Sequence, residues 1–421
     1  MPGIVATRQA GNRGVLVGAS FAATAAVVTV PAVDAHGATS ALPASPGAGV
    51  RLTASGFFRT EKRAGRWWLV TPDGHRFYSS GVDHVSADPD TDRQTGACPY
   101  CEAIAAQYPS TEAWANATVE RLQRWGFNTI GAFSDSATFA AKMPYTQLLD
   151  MASGDDWFAP SFVTNAQNVA ASQVAPLADD PNLIGWYTDS EPHWGPDWRS
   201  SQLVLDDYLA LPAGTPGRTV ADRHVGDPNG FVYALAHRYF QVTTAAIHKW
   251  DPHHLILGVK APAQLIQREL LLAARPYVDV FSIDDYRLIP GLARSIHRSE
   301  PQYLAPAADL SNIEAIVEKP LLIGEYGFRA ADSGLPNTWP PIFPVYPTQA
   351  RRAAMYKSFV ATMYRSPWVV GDAWFEYVDE PAGGRTGDGE DSNWGLVNVA
   401  NMPYRTMVIA AKAMHTREPG A

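Results

Sequence analysis

The sequence predicts an α/β protein, a (β/α)8 TIM barrel with a small N-terminal β-cap, and three observations support this prediction. Short apolar runs recur eight times along the chain, helical patterns separate many of them, and no Gly-rich phosphate-binding loop follows any run. Eight strands that alternate with helices favour a closed parallel barrel over a doubly wound open sheet. The length of 421 residues and the hydrophobic fraction of 46% suit a barrel with a large core.

The first 50 residues are predicted to precede the folded domain. Arg8 and Arg13 come before the apolar residues 14–33, so residues 1–35 are predicted to be a signal peptide. Because this stretch is long, an uncleaved membrane anchor is the alternative interpretation. The small, Pro- and Gly-rich residues 36–50 are predicted to be a disordered linker. A cleaved signal predicts a secreted, extracellular protein without a membrane partner.

The folded part is predicted to consist of a β-hairpin cap at residues 51–76 and the catalytic barrel at residues 77–416. Turns at Ala64-Gly65 and Asp73-Gly74 join the short strands of the cap. The barrel strands are continuous apolar runs, as is typical of strands that are covered on both faces. They are predicted at Phe77–Asp83, Phe127–Phe133, Tyr145–Asp150, Leu183–Asp189, Leu255–Lys260, Val278–Asp284, Leu321–Glu325 and Val369–Phe375. Helices with apolar residues three and four apart are predicted at Thr111–Trp125, Phe231–Trp250, Ala263–Ala274, Leu310–Lys319 and Thr348–Tyr364.

Charge and composition narrow the classes of partner. The net charge of −9 without a basic stripe argues against a nucleic-acid or anionic-membrane partner. The chain holds 13 Trp and 17 Tyr, residue types that often stack on sugar rings as well as filling cores. No cofactor is predicted, and the sequence leaves the oligomeric state open.

The two cysteines, Cys98 and Cys101, are predicted to form a small loop disulfide, as suits an exported protein. A redox-active dithiol is less favoured because no thioredoxin-like strand and helix surround the pair. A zinc site would need two more ligands at the usual spacing. The neighbouring residues 88–96 lack the Gly and Glu of a calcium loop, so no metal site is predicted.

Two glutamates stand at the carboxyl ends of predicted strands. Glu191 lies two residues after the fourth strand, and Glu325 is the last residue of the seventh. A buried charge without a partner is costly, so carboxylates at these positions indicate function. The carboxyl ends of barrel strands meet at one mouth, and two carboxylates facing one cleft are what cleavage of a glycosidic bond requires. Other polar or aromatic residues assigned to these ends are Asp83, His84, Asn128, Asp150, Asp189, Ser190, Lys260, Asp284, Tyr286, Trp374 and Glu376. Taken singly, Asp83, Asp150, Lys260 and Asp284 are interpreted as members of structural networks.

Five motifs occur in order after Gly56: GRWWLVTPDGHRFYSSGVDHV, RWGFNTIGAFSD, PNLIGWYTDSEPHWG, LLIGEYGFRA and AWFEYVDEPAGGR. In this combination they resemble the clan A glycoside hydrolases, and more closely the agarase-like enzymes of glycoside hydrolase family 50 and their uncharacterised relatives. The resemblance implies a retaining hydrolase that cleaves a β-linked glycan, of agarose or β-galactoside type, by a two-glutamate double displacement. It also implies a poly- or oligosaccharide as the partner.

The resemblance assigns roles to individual residues. Glu191 matches the acid/base and Glu325 matches the nucleophile. Tyr286 matches a tyrosine that hydrogen-bonds the nucleophile, and Trp374 matches an aromatic floor beneath the sugar. The remaining predicted substrate-binding residues are His193 and Trp194 in the loop after the fourth strand, together with Ser190, Asp83 and Asn128.

Three departures from the family pattern keep alternatives open. Ser190 stands where an asparagine usually contacts the sugar 2-hydroxyl, and Glu376 and Glu380 stand where glutamine is usual. No arginine ends the second strand to stabilise the nucleophile. The alternatives are a clan A β-glucanase or β-mannanase, or a catalytically impaired carbohydrate-binding barrel. An aldolase-like barrel is a further alternative, and Lys260 would be its reactive lysine.

Overall fold

The computed structural model of this protein describes most of the chain after the predicted linker. The predicted signal peptide (1–35) and linker (36–50) therefore lie outside the described residues, which are 52–154, 156–197, 199–288, 310–417 and 419.

The predicted cap region holds a three-stranded antiparallel sheet made of β1 (Arg59–Arg63), β2 (Arg66–Val70) and β3 (Arg76–Phe77). Ala64 and Gly65 join β1 to β2, both with positive φ, at 48° and 78°. A two-residue turn with two left-handed residues matches the twist of the strands that it joins. The chain then enters the barrel almost at once.

The barrel is built from short parallel strands whose hydrogen-bonded order is β8-β7-β6-β5-β4-β14-β11-β10-β9. Only Val259 and Lys260 separate β8 from β9, so the two edges of this sheet are halves of one interrupted fifth strand. The sheet therefore closes into a barrel of eight strands, and the prediction of a TIM barrel is confirmed. The strands are β4 (Ser79–Val82), β5 (Thr129–Ile130), β6 (Tyr145–Leu148), β7 (Leu183–Tyr187), β8 (Leu255–Gly258), β9 (Ala261–Pro262), β10 (Phe281–Asp284), β11 (Leu321–Tyr326) and β14 (Val369–Trp374). A separate two-stranded sheet pairs β12 (Arg329–Ala330) with β13 (Val345–Tyr346).

Helices lie between most of the strands. Helix α7 begins at Pro228, three residues before the predicted start, because the Asp227 side chain caps it. The helices are α1 (Pro99–Gln107), α2 (Thr111–Arg124), α3 (Ser136–Phe139), α4 (Pro160–Val169), α5 (Val204–Leu209), α6 (Pro216–Ala221), α7 (Pro228–His248), α8 (Arg268–Ala274), α9 (Leu310–Val317), α10 (Gln349–Arg365) and α11 (Arg405–His415). Among the described residues, none of these helices is long and apolar enough to cross a membrane.

Two apolar layers form the core. The larger layer lies between the barrel and its helices and includes Trp186 and Trp374. The smaller layer fills the inside of the barrel, where Ile184 and Leu322 meet aromatic and aliphatic side chains of the cap. Phe58, Leu69 and Phe77 of the cap region are each at most 2% exposed. The cap thus packs against the barrel interior at the end opposite to the mouth, which leaves one open end for a site.

Candidate active site

Consecutive strands end at the mouth in residues with a left-handed backbone. These are five non-glycine residues, and they follow β4, β5, β6, β7 and β8 in turn: His84 (φ 54°), Phe133 (60°), Asp150 (53°), Glu191 (51°) and Lys260 (48°). A non-glycine residue in this conformation carries a cost of about 1–2 kcal/mol, less for Asp. Such strain collects at functional sites, where the surrounding structure holds it in place. The mouth therefore looks functional from its backbone alone.

Glu325 lies in β11 and points to the mouth with two close partners. The Tyr286 hydroxyl donates a hydrogen bond to its Oε2 at 2.8 Å, as the sequence predicts. The Nζ of Lys260 lies 3.3 Å from its Oε1. Each oxygen of the carboxylate is thus held by a different donor.

Lys260 is a fully buried cation surrounded by carboxyl groups. Its Nζ lies 3.4 Å from Asp83 and 3.7 Å from Asp284, and it donates to the Gly324 carbonyl at 2.7 Å. Burial alone would lower the pKa of Lys260, but Asp284, Asp83 and Glu325 outweigh it and hold the pKa well above its ordinary value. An ammonium held in this way is a poor amine nucleophile, which argues against the aldolase-like alternative.

Lys260 also supplies the positive charge beside Glu325 that the family pattern assigns to an arginine. An arginine at the end of the second strand is missing, and Phe133 follows that strand instead. The cation reaches Glu325 from the fifth strand, because the interruption between β8 and β9 turns Lys260 into the barrel. The sequence marks Lys260 as a network residue or as the reactive lysine of an aldolase-like barrel, and neither interpretation predicts that it pairs with Glu325. Its function depends on a bulge that no local pattern marks.

Glu191 lies at the opposite side of the mouth and is partly exposed. Its backbone N–H donates to the Val259 carbonyl at 3.0 Å, which ties the end of β7 to the fifth strand. Burial of the carboxyl, and then the field of Glu325, raise the pKa of Glu191 to about 8. Glu191 therefore holds a proton at neutral pH, while Glu325 sits beside a cation. The two carboxyl groups are suited to different chemical roles.

Two buried aspartates connect the pair of glutamates. Asp284 ends β10 directly beside Glu325 in the register of the sheet, and its carboxyl also interacts with Glu191. Burial and the nearby Glu325 raise the pKa of Asp284 well above its usual range. Burial likewise raises the pKa of Asp83 to about 7, although Lys260 opposes this shift. Asp83 touches Lys260 rather than the open mouth, so it supports the charge network from below.

A second charged group forms the wall of the mouth at β4 and β14. His84 pairs with Glu376, and its Nδ1 lies 3.8 Å from Asp90. Burial opposes the imidazolium, but Glu376 outweighs it and raises the pKa of His84 to about 9. Glu380 receives a hydrogen bond from the Ser392 N–H at 2.6 Å and lies 3.5 Å from Arg385. The two acids that replace the usual glutamines are thus held by partners within this wall.

His84, Asp90 and Glu376 bring ligating atoms within 4.8 Å of one another, and their residue types could hold a divalent cation. In this structure His84 and Glu376 already satisfy each other as an ion pair. The predicted disulfide between Cys98 and Cys101 is present and closes the first turn of α1.

The structure corrects the prediction that Trp374 forms an aromatic floor beneath the sugar. Its ring is fully buried between the barrel and α10, where it packs on Tyr326 and Tyr356. Its indole N–H donates to the Trp394 carbonyl at 3.0 Å. Every residue of β14 is buried, so the sequence does not mark which side chains face inward. Trp374 cannot offer a ring face to a sugar in the mouth.

Trp194 and His193 contact residues other than the two glutamates in the part of the chain that the structure describes. Trp194 is 5% exposed and packs on Trp157 and Tyr239 in the outer layer. His193 lies 2.9 Å from Asp197 and 3.3 Å from Asp207, so it organises its own loop. The structure therefore gives both residues a packing or loop-ordering position.

Asn128 lies at the wrong end of its strand for substrate contact. It precedes β5, and its side chain accepts from the Ser80 N–H at 2.8 Å and donates to the Tyr78 carbonyl at 3.0 Å. Asn128 thus aligns the amino ends of two strands. Ser190, by contrast, directly precedes Glu191 at the mouth and is partly exposed.

Comparison with known proteins places the chain beside beta-agarases. No protein-family model matches it. It is 24% identical to beta-agarase B of Vibrio sp. (strain JT0107), over 86% of this chain and 48% of that protein. It is 26% identical to beta-agarase A of the same strain, over 86% of this chain and 46% of that protein.

Solved structures show the same fold. The crystal structure of an agarase superposes with a TM-score of 0.72 at 25% identity, covering 87% of this chain and 64% of that one. An exo-beta-agarase gives a TM-score of 0.71 at 23% identity, covering 88% and 67%. The chain spans about half the length of the curated relatives that it matches. It is similar to beta-agarases in sequence and to agarase crystal structures in fold.

Proposed function

We propose that this protein is a glycoside hydrolase that cleaves a β-linked galactan, of agarose type, with retention of configuration. The observation that carries the proposal is the difference between the two glutamates at one mouth. Glu325 is held by the Tyr286 hydroxyl and the Lys260 ammonium, whereas Glu191 has a pKa raised to about 8. The similarity to beta-agarases supports the choice of glycan.

In the first step, Glu325 attacks the anomeric carbon of the sugar. Glu191 gives its proton to the oxygen of the departing sugar, so the glycosidic bond breaks as the bond to Glu325 forms. As negative charge leaves Glu325 for the new ester, the Tyr286 hydroxyl and the Lys260 ammonium rearrange around a neutral group. Loss of the Glu325 charge also lowers the pKa of Glu191, which helps it to release its proton.

In the second step, Glu191 takes a proton from a water molecule, and this water attacks the anomeric carbon. The ester to Glu325 breaks, and Glu325 recovers its charge beside Lys260. The pKa of Glu191 rises again when Glu325 is ionised, so the acid is reloaded for the next cycle. Two inversions at the same carbon give a product with the configuration of the substrate.

The experiment compares the wild-type protein with Glu325→Gln and Glu191→Gln on agarose and on aryl β-galactosides. Glutamine keeps the shape of the side chain and removes the charge or the proton. On agarose, both variants are expected to lose at least about 1,000-fold in kcat, as is typical when a group acting in the covalent step is removed. Glu120→Gln is the matched control, because Glu120 is an exposed carboxylate on α2.

Proton NMR of the first product tests retention. The β-anomer should appear before mutarotation, as a retaining pair of carboxyl groups about 5–5.5 Å apart requires. An α-anomer as the first product would replace this mechanism with inversion. Equal, near-zero rates for the wild type and Glu325→Gln, with glycan binding kept, would instead identify a carbohydrate-binding barrel.

We also propose that the protein is secreted, on the basis of the predicted signal at residues 1–35. The full chain and a chain starting at residue 36 should be expressed in a bacterial host. Activity in the medium or periplasm is expected for the full chain only. Retention of the full chain in the membrane fraction would favour the uncleaved anchor.

A further inference from the structure

We propose that Phe133 is a platform on which one pyranose ring of the substrate stacks at the mouth, an inference that rests on the proposed function. Phe133 follows β5, the second barrel strand, and its side chain is 41% exposed. It takes the place of the buried Trp374 as the aromatic contact for a sugar. The ligand class is a β-linked hexose chain with an apolar ring face.

The location of Phe133 ties it to the two glutamates. The Nζ of Lys260 lies 5.5 Å from the centroid of the Phe133 ring and 3.3 Å from Glu325. The ring is therefore separated from the proposed nucleophile by a single ammonium group. Tyr233 and Ile409 are also large, apolar and exposed, but they belong to the outer helices α7 and α11.

The backbone at Phe133 shows that its exposure is imposed rather than incidental. Its φ of 60° is a left-handed conformation that costs a bulky residue about 1–2 kcal/mol. The turn is fixed on both sides, because the His84 N–H donates to the Ala132 carbonyl at 2.8 Å and the Asp135 N–H donates to the Val85 carbonyl at 3.1 Å. Four of the five left-handed residues of the mouth are ionisable, and Phe133 is the apolar one.

The two faces of the ring have different surroundings. One face lies against the Lys260 ammonium, an arrangement in which the cation is attracted to the ring electrons. The exposed part of the ring is left for a ligand. The C–H groups on one face of a sugar ring carry partial positive charge, so they suit the same ring electrons. A stacked sugar would also keep water from the Lys260–Glu325 ion pair and so strengthen it.

A sugar fits this position better than a protein partner does. Phe133 is a single ring beside Lys260, and the Lys260 ammonium joins it to a group of carboxyl and hydroxyl side chains that includes Glu325 and Tyr286. Such a group can accept and donate hydrogen bonds to sugar hydroxyls while one aromatic face binds the ring. A protein-binding patch would need more contiguous apolar area.

The test measures agaro-oligosaccharide binding by isothermal titration in a Glu325→Gln background, and hydrolysis by the otherwise wild-type protein. Phe133→Ala is expected to weaken binding and lower kcat/KM by about 10- to 100-fold, as loss of an aromatic contact does. Phe133→Trp should keep at least a third of the wild-type value of both. Tyr233→Ala removes a ring of similar exposure (43%) from α7 and should change neither.

Two results with the Phe133 variants would overturn the inference. One is a Phe133→Ala protein that binds and cleaves as the Tyr233→Ala control does. The other is an equal loss for Phe133→Trp and Phe133→Ala at unchanged Tm, which would indicate a need for empty space or a local fold instead of stacking. A wild-type protein that binds the oligosaccharide but does not cleave it would refute the proposed function alone, because the binding series still tests Phe133. A Glu325→Gln protein that binds no oligosaccharide would overturn the platform as well.

Discussion

At the scale of single residues, the site depends on how one buried cation is shared among carboxyl groups. Lys260 contacts Asp83, Asp284 and Glu325, and all three side chains are at least nine-tenths buried. Burial and the nearby Glu325 raise the pKa of Asp284 well above its usual range, so the Lys260 ammonium is needed to balance the acids around it. Removing it would leave buried negative charges without compensation.

We expect Lys260→Met to lower kcat by at least about 100-fold, because the Glu325 carboxylate would lose the cation that lies 3.3 Å from its Oε1. Steady-state rates on agarose and on aryl β-galactosides measure this loss. Lys260→Arg, which keeps the charge, should recover part of the rate. Equal losses in Lys260→Met and Lys260→Arg would contradict this electrostatic role.

Glu191 sets a second expectation at this scale. Its pKa is raised to about 8 by burial and by Glu325, and the protonated form is the one that acts first. The value of kcat/KM should therefore fall about tenfold per pH unit above pH 8. Aryl galactosides with a good leaving group need less proton donation, so on them Glu191→Gln should be less impaired and should lose this alkaline limb. An alkaline limb that persists in Glu191→Gln would assign it to another group.

At the scale of elements, the barrel closes because several strands approach each other at glycines. A Cβ added at Gly185 in β7 would lie 2.3 Å from the Leu255 carbonyl oxygen of β8. That oxygen belongs to the backbone of a neighbouring strand and cannot turn aside. The register between β7 and β8 shifts just beyond this point, between Trp186 and Tyr187. Glu191 and Lys260 lie at the ends of these two strands, so the fit at Gly185 positions both.

We expect Gly185→Ala to destabilise the protein by about 1–3 kcal/mol, as overpacking in a dense core does. Thermal unfolding followed by circular dichroism measures the loss. Gly387→Ala is the control, since an added Cβ there meets no atom within 4 Å and the glycine has no positive φ. If the two variants unfold at the same temperature, the close approach of β7 and β8 does not limit stability.

The strands also show which features of the fold could be predicted from the sequence. Continuous apolar runs predicted all eight barrel strands, and Glu191 and Glu325 were found because a charge beside such a run is conspicuous. Because every residue of β14 is apolar or buried, the sequence did not show which of its side chains point into the barrel and which point to the helices. Trp374 was therefore assigned to the inside, whereas it lies in the outer layer. Asn128 was misplaced because it stands at the amino end of the predicted strand Phe127–Phe133, directly before β5, whereas the mouth lies at the carboxyl ends.

The role of Lys260 could not be predicted because it arises from tertiary structure. A bulge between β8 and β9 turns the side chain inward, and its partners come from the ends of three other strands. Phe133 was included in a predicted strand, whereas the regular strand ends at Ile130. Its exposure follows from a turn that is held by hydrogen bonds from distant residues.

At the scale of the whole molecule, many buried carboxyl groups bind protons more tightly in the folded state than in the unfolded chain. Burial raises the pKa of Asp83, Asp189 and Asp379 to about 7, and that of Asp372 to about 6. A carboxyl with a raised pKa destabilises the fold as the pH rises, because the unfolded chain gives up its proton first. His84, with a pKa raised to about 9, stabilises below about pH 6.5 and loses this contribution as the pH rises through 9.

We therefore expect the Tm to be a few degrees lower at pH 8.5 than at pH 5.5. Stability should fall again at lower pH, because burial lowers the pKa of His415 to about 3 and protonation then favours the unfolded chain. Scanning calorimetry at constant ionic strength measures this profile. Glu191→Gln should reduce the difference between pH 5.5 and 8.5. A Tm that stays constant or rises between these two values would show that the buried acids do not govern stability.

The cap at the far end of the barrel determines how ligands can enter and leave the site. Phe58, Leu69 and Phe77 join the apolar filling of the barrel, so that end is sealed. In the proposed reaction, substrate, attacking water and both products all use the same opening. A polymer cannot thread through the protein and has to arrive either sideways across the mouth or end first. In the proposed reaction, the leaving sugar therefore has to clear the opening before the attacking water can enter, so the order of these two steps is fixed within the catalytic cycle.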